Sequence, residues 1–136
     1  TADLPVLVKG ILRPDDAVQC LENKADGIII SNHGGRQLDT ATSTLKQVEP
    51  IRKEIGTKAL LIVDGGIRRG TDVLKSLALG ANAIQIGRPI LWGLNYDGQK
   101  GVEIVLQILI NELIESMILS GSKNITEITR DLVREN

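Results

Sequence analysis

The chain has 136 residues, 42% of them hydrophobic and 24% charged, an ordinary globular composition with room for one core, so residues 1–136 are read as a single domain. A net charge of −1 excludes the basic footprint of a nucleic-acid or anionic-membrane partner. The lone Cys20 excludes an intrachain disulfide and suits a reducing compartment. In chain order, Leu4-Pro5-Val6-Leu7-Val8 is a β-branched apolar run, read as a strand buried on both faces that ends at Lys9-Gly10. Pro14-Asp15-Asp16 opens a helix whose inner face is Ala17, Val18 and Leu21. Gly27-Ile28-Ile29-Ile30 is a second strand, and it delivers the loop Ser31-Asn32-His33-Gly34-Gly35-Arg36-Gln37-Leu38-Asp39. From Thr42 to Ile55, Leu45, Val48, Ile51 and Ile55 recur at helical spacing, with Pro50 marking a bend or a late start and Gly56 the stop.

A third apolar run, Ala59-Leu60-Leu61-Ile62-Val63, stops at Asp64-Gly65-Gly66-Ile67-Arg68-Arg69-Gly70. Thr71 to Leu79 is predicted as a helix capped by Thr71 and closed by Gly80, and Ala83-Ile84-Gln85-Ile86 as a fourth strand closed by Gly87-Arg88-Pro89. Gly101 to Leu119 is apolar almost all round but interrupted by acids, which argues against a membrane span and for a helix packed on the barrel and on another subunit. A short amphipathic helix, Ile125 to Val133, completes the pattern. Strands alternating with helices at these spacings imply right-handed parallel βα units whose functional loops lie at the carboxyl ends of the strands. Lys9, His33, Asp64 and Arg88 each fall at such an end, the arrangement of a (β/α) barrel's active rim. The expected fold is therefore α/β, four βα units forming the C-terminal half of a (β/α)₈ barrel plus C-terminal helices.

The chemistry concentrates in three loops. His33 is the only histidine, and an imidazole titrates near neutrality and moves a proton readily. Arg36, three residues on, presents the planar fork that clamps a carboxylate. A lone histidine at a strand end is ordinarily a satisfied surface group; here it stands among other polar strand ends. Asp64-Gly65-Gly66-Ile67-Arg68 and Gly87-Arg88 are glycine loops with arginines at successive strand ends, where backbone N–H groups, guanidinium charge and a helix N-terminus suit a phosphate. Tight βα turns need glycine anyway, so each loop alone says little. Lys9 suits a cofactor that accumulates negative charge, or it simply snorkels to water.

Taken together, these four stretches resemble the FMN-dependent 2-hydroxy-acid oxidases and dehydrogenases, the glycolate-oxidase-like family, over essentially the whole chain. The resemblance implies FMN as cofactor, a small 2-hydroxy acid as substrate, and oxygen or another acceptor. By the same resemblance Lys9 and Ser31 would meet the flavin ring, His33 would be the catalytic base, and Arg36 would bind the substrate carboxylate. Asp64 would lie at the ribityl chain, Gly65 would contact the cofactor beside it, and Gly66, Arg68, Gly87 and Arg88 would lie at the phosphate. Proton removal by His33 needs a neutral imidazole, so turnover should fall when it protonates. Pro89-Ile90-Leu91-Trp92-Gly93-Leu94 and the closing helices are most like the animal 2-hydroxy-acid oxidases, a peroxisomal group; the family resemblance as a whole implies a homo-oligomer, tetrameric at full length.

A complete barrel takes roughly 250 residues. A chain that begins at Thr1 rather than Met is accordingly expected to be half of one, inactive alone; Glu135-Asn136 carries no peroxisomal tripeptide, which leaves a cytoplasmic location open. Two other readings stand beside the oxidase. One is a different phosphate-binding barrel enzyme, of the inosine monophosphate dehydrogenase or type 2 isopentenyl diphosphate isomerase kind, with similar Asp-Gly-Gly-Ile-Arg loops but no Ser-Asn-His-Gly-Gly-Arg signature. The other is a non-catalytic phosphate-binding half-barrel that self-associates through its open strand edges.

Overall fold

The computed structural model describes residues 3–134; the readings of Thr1 as a start and of Glu135-Asn136 as a terminus lie outside the described residues. These group into two compact units, one running to Gly66 with Gly80–Gln85 added, the other comprising Ile67–Leu79 and the residues from Ile86 onward.

In the first unit the strands β1 (Leu7–Ile11), β2 (Gly27–Ile30), β3 (Leu60–Asp64) and β4 (Ala83–Gln85) form one parallel sheet in the order β1-β2-β3-β4, as the βα spacing implies. Helix α1 (Pro14–Glu22) links β1 to β2, and α2 (Val48–Ile55), entered through a 3₁₀ turn at Leu45–Gln47, leads to β3. Pro50 sits in the first turn of α2, where a missing N–H costs nothing, and so marks the late start. Ile28 and Ile30 of β2 and Leu61 and Val63 of β3 alternate onto one face of the sheet and are wholly buried, as are Ala17 of α1 and Val48 and Ile51 of α2. Each large aliphatic side chain so buried contributes roughly 1.5–3 kcal/mol. The register puts Lys9, Ile29, Ile62 and Ala83 side by side on the opposite face, followed one step along by Asp64 and Gln85.

The first strand departs from its reading. Leu4, Pro5 and Val6 precede β1 and are exposed, and β1 itself is mostly exposed rather than buried on both faces. The reason is position: β1 is an edge strand with β2 as its one neighbour. Lys9 correspondingly lies inside the strand, which continues through a bulge at Gly10 to Ile11. Sequence reasoning also passed over Arg52 of α2. Its guanidinium donates to the carbonyl oxygens of Gly80 (2.8 Å), Gly56 (2.6 Å) and Ala59 (2.9 Å) and to Asn82 Oδ1 (2.6 Å), which also accepts the Leu61 N–H. One side chain thus joins the end of α2 to the chain entering β3 and β4.

The second unit contains α3 (Gly70–Ala78) and α4 (Arg88–Ser120), the latter broken at Asp97-Gly98, where the backbone leaves helical geometry. The helical reading from Gly101 onward is right; ahead of the break a separate helical stretch opens at Arg88, with Pro89 in its first turn. Gly70 seats α3 against α4: a Cβ there would stand 2.1 Å from Leu113 N. The Glu112 carboxylate receives the Gly70 N–H (2.8 Å) and Arg69 Nη1 (2.9 Å), an anion at a helix N-terminus, and the Gly70 N–H with Arg69 holds it below the usual carboxylate range. Thr71 is not the cap; Arg69 occupies that position, and Asp72 Oδ2 accepts the N–H groups of Arg68 and Arg69 (2.9 Å each). Leu74, Ala78 and Ile128 form the buried cluster of this unit, flanked by Leu113 and Met117. The expected helix from Ile125 to Val133 is instead two 3₁₀ turns, Ile125–Glu127 and Arg130–Leu132. Asn124 Oδ1 takes the Thr126 N–H, a local bond that competes with helix in a segment too short to nucleate one.

Replacing Arg52 with Ala should lower unfolding free energy by about 2–3 kcal/mol in urea titration, and Lys should recover less than half because an ammonium lacks the planar fork. Gly70→Ala should cost about 3 kcal/mol by collision with the α4 backbone, whereas Thr71→Ala should stay within about 0.5 kcal/mol; parallel urea titrations test both.

Candidate functional site

Three adjacent strands of the first unit bring Lys9, Ser31 and Asp64 together. Parallel neighbours lie about 4.8 Å apart, and residues on one face of such strands meet directly. Lys9 Nζ donates to Ser31 Oγ (2.9 Å) and to Asp64 Oδ2 (2.5 Å), and Ser31 Oγ donates to Asp64 Oδ2 (2.6 Å). The His33 backbone N–H donates to Ser31 Oγ as well (3.1 Å), so this hydroxyl has its donor and both acceptor positions engaged. Asp64 keeps 14% of its side chain exposed and Lys9 39%. Partial burial pushes the Asp64 carboxyl up, but the hydrogen bonds from Lys9 and Ser31 and the Lys9 charge outweigh it, and the net result lies below the ordinary value.

His33, Gly34 and Gly35 all adopt positive φ (55°, 66° and 72°) in a 3₁₀ turn directly after β2. Two glycines accept this readily; His33 does so at some cost, a strain of the kind that collects at functional loops. The turn leaves both the His33 and the Arg36 side chains exposed. Behind it, Asn32 Nδ2 donates to the Thr42 carbonyl (3.2 Å) and Thr44 Oγ1 to the Gly65 carbonyl (3.0 Å). A Cβ at Gly65 would press on Asn32 Oδ1 at 3.3 Å, whereas one at Gly66 would meet nothing within 4 Å. Asn32 and Thr44 were missed by sequence reasoning, since an amide and a hydroxyl in loops carry no periodic signal; their roles appear only once the two loops meet.

The second unit holds the remaining candidates. Arg68 Nη1 donates to the Ile67 carbonyl (2.7 Å), and its guanidinium carbon sits 5.0 Å from the centre of the Trp92 ring. Gly87 is the N-cap of α4, with open space where a Cβ would stand, and Arg88 is the first helical residue. Among the described residues no group of three His, Cys, Asp or Glu side chains is disposed to hold a metal ion, and no helix is long and apolar enough to cross a membrane.

This arrangement of parallel βα units with polar strand ends coincides with a recognised class. The family model for FMN-dependent dehydrogenases matches residues 1–135, and the chain belongs to that family. It is 55% identical over 130 residues to a 2-hydroxyacid oxidase of Dictyostelium discoideum, covering 96% of this chain and 34% of that one. The peroxisomal (S)-2-hydroxyacid oxidase GLO3 of Arabidopsis thaliana is 50% identical over 132 residues, covering 97% of this chain and 36% of that one. A solved mandelate oxidase variant with a monooxide FMN adduct superimposes with a TM-score of 0.91 at 43% identity, over 95% of this chain and 41% of that one. The chain thus spans about a third of the length of the curated relatives it matches, and its four parallel strands correspond to part of an α/β barrel flavoenzyme.

Because the folded-state pKa of Asp64 is depressed, its contribution to stability is present above the ordinary carboxylate value near 4 and disappears as pH falls through the folded value. Asp64→Asn should therefore destabilise by on the order of 1 kcal/mol at pH 7 and progressively less below pH 4. Urea midpoints of both proteins measured from pH 7 to pH 2.5 check this; a gap that stays constant across the range refutes it.

Proposed function

We propose that this protein contributes to an FMN-dependent oxidation of a small (S)-2-hydroxy acid to the 2-oxo acid, with oxygen as acceptor and hydrogen peroxide as product. The observation that carries the reading is the Lys9-Ser31-Asp64 triangle with the His33 backbone hung from its hydroxyl. The donor set fits FMN: Gly66 and Gly87 leave backbone open where a Cβ would intrude, Arg68 and Arg88 are cations suited to a phosphate, and Lys9 has one N–H beyond those given to Ser31 and Asp64.

In this reading Lys9 lies at the pyrimidine edge of the flavin ring. Ser31, its hydroxyl already engaged, acts beside that ring by fixing the Lys9 ammonium. Asp64 faces the ribityl chain with Gly65 beside it at the cofactor; Gly66, Arg68, Gly87 and Arg88 take the phosphate. Arg36 clamps the substrate carboxylate bidentately and so sets which face of the α-carbon is presented. The His33 imidazole accepts one of the two protons that the substrate loses. FMN, when bound, would take up the two electrons together with the other proton. The name of the Arabidopsis relative assigns that protein to the peroxisome, and we propose the same compartment here.

The test uses a chimera in which this chain replaces the matching segment of the Dictyostelium oxidase. It should carry flavin absorbance that bleaches anaerobically with glycolate, lactate or a longer 2-hydroxy acid. In the chimera, His33→Ala should retain the flavin and lose bleaching rate by about 10³-fold or more, within the range for a general base. A chimera that takes up FMN but is reduced by no 2-hydroxy acid, or a His33→Ala variant that bleaches at the parental rate, overturns the reading.

A further inference from the structure

Trp92 is the only tryptophan in the chain, and it is 56% exposed rather than buried. Its ring carries the Arg68 guanidinium at 5.0 Å, a cation–π distance. It also stands four residues after Arg88 on α4, and residues i and i+4 share a helix face. Trp92 therefore belongs to the same patch of the second unit as both arginines assigned to the cofactor phosphate. A guanidinium laid on an aromatic face keeps its in-plane N–H groups free to point outward, the geometry in which it accepts a phosphate in bidentate fashion. The remaining anchor of Arg68 is the bond from Nη1 to its neighbour's carbonyl, which fixes one end of the fork and not its plane.

We propose that Trp92 is a positioning residue for the FMN phosphate: the indole fixes the plane and direction of the Arg68 guanidinium, and touches the reaction only through that arginine. The inference rests on the phosphate assignment made above. It explains why a large aromatic side chain stays at the surface of a chain that contains one other aromatic residue, Tyr96. It also predicts selectivity: the role concerns the phosphate, so it vanishes for the same flavin without one.

The experiment is equilibrium binding of FMN and of riboflavin to the apo form of the chimera described above, followed by flavin fluorescence, for the parent chimera, Trp92→Ala, Trp92→Phe, Arg68→Ala and the Trp92→Ala/Arg68→Ala double variant. Trp92→Ala should weaken FMN about two- to fivefold and leave riboflavin unchanged, and Trp92→Phe should restore most of the loss. Arg68→Ala should weaken FMN by about tenfold or more, and adding Trp92→Ala to it should cost nothing further. If Trp92→Ala weakens both flavins equally, or its penalty persists in the Arg68→Ala background, the indole serves packing and the inference fails while the phosphate assignment stands. If the parent binds FMN no better than riboflavin, or Arg68→Ala has no effect, the phosphate assignment fails and the inference goes with it.

Discussion

The candidate site depends on one hydroxyl. Ser31 Oγ accepts from Lys9 and from the His33 backbone and donates to Asp64, so it fixes a cation from β1, an anion from β3 and the loop after β2 with three hydrogen bonds. Each partner belongs to, or directly follows, a different strand, and parallel pairing at about 4.8 Å brings them within reach. The bulge at Gly10 contributes too. It leaves Lys9 on the same face as Ile29 while returning Ile11 to register with Ile30, so the polar side chain faces the site and the apolar one returns to the opposite face. The result is a rigid base from which a strained histidine turn projects.

The reading of the chain worked where a side-chain pattern repeats and where a motif is dense. The apolar runs around Ile28 and Leu61 and the βα spacing made the parallel sheet and its order readable, because burial between helices and sheet imposes those patterns directly. Edge effects were hidden. Leu4 to Val8 looks as apolar as the inner strands, and only the sheet order reveals that β1 has a single neighbour. The cap of α3 was misread for a related reason: Thr71 has the right chemistry, but the carboxylate of Asp72 captures the two preceding N–H groups and moves the boundary back to Arg69 and Gly70. The helical stretch between Arg88 and the break at Asp97-Gly98 escaped, because from sequence a glycine- and asparagine-bearing segment ahead of such a break looks like a loop before a helix.

Of the candidate residues, those in the Ser31–Asp39 and Asp64–Arg68 stretches stood out because their motifs are unusual in composition. What no motif contains is the pairing among them. That Lys9 and Asp64 neutralise each other, that Ser31 joins both of them, and that Asn32 and Thr44 bind the two loops together are all contacts between residues 10 to 55 positions apart. Arg52 belongs to the same class: its four acceptors are carbonyls and an amide that become neighbours only after the sheet has formed.

The strength of this site is set by how much water reaches it. Lys9 retains 39% of its side-chain exposure, and Ile29 and Ile62, its neighbours on the same face, are half-buried, whereas the helix-covered face of the sheet is dry. A charge pair at 2.5 Å in such a setting is screened, and its net worth is a fraction of what the same pair would have beneath a cover. Covering the face with a flat aromatic cofactor would remove water from Lys9 and Asp64 together. Exposing one charge to a dry environment would be costly, but the two are already mutually neutralised and hydrogen-bonded through Ser31, so the penalty is much reduced. The triangle could thus be covered at little electrostatic cost. Pre-pairing Lys9 with Asp64 weakens the bare attraction for an anion, and in exchange it keeps the ammonium oriented and would keep the desolvation cost of covering this face low.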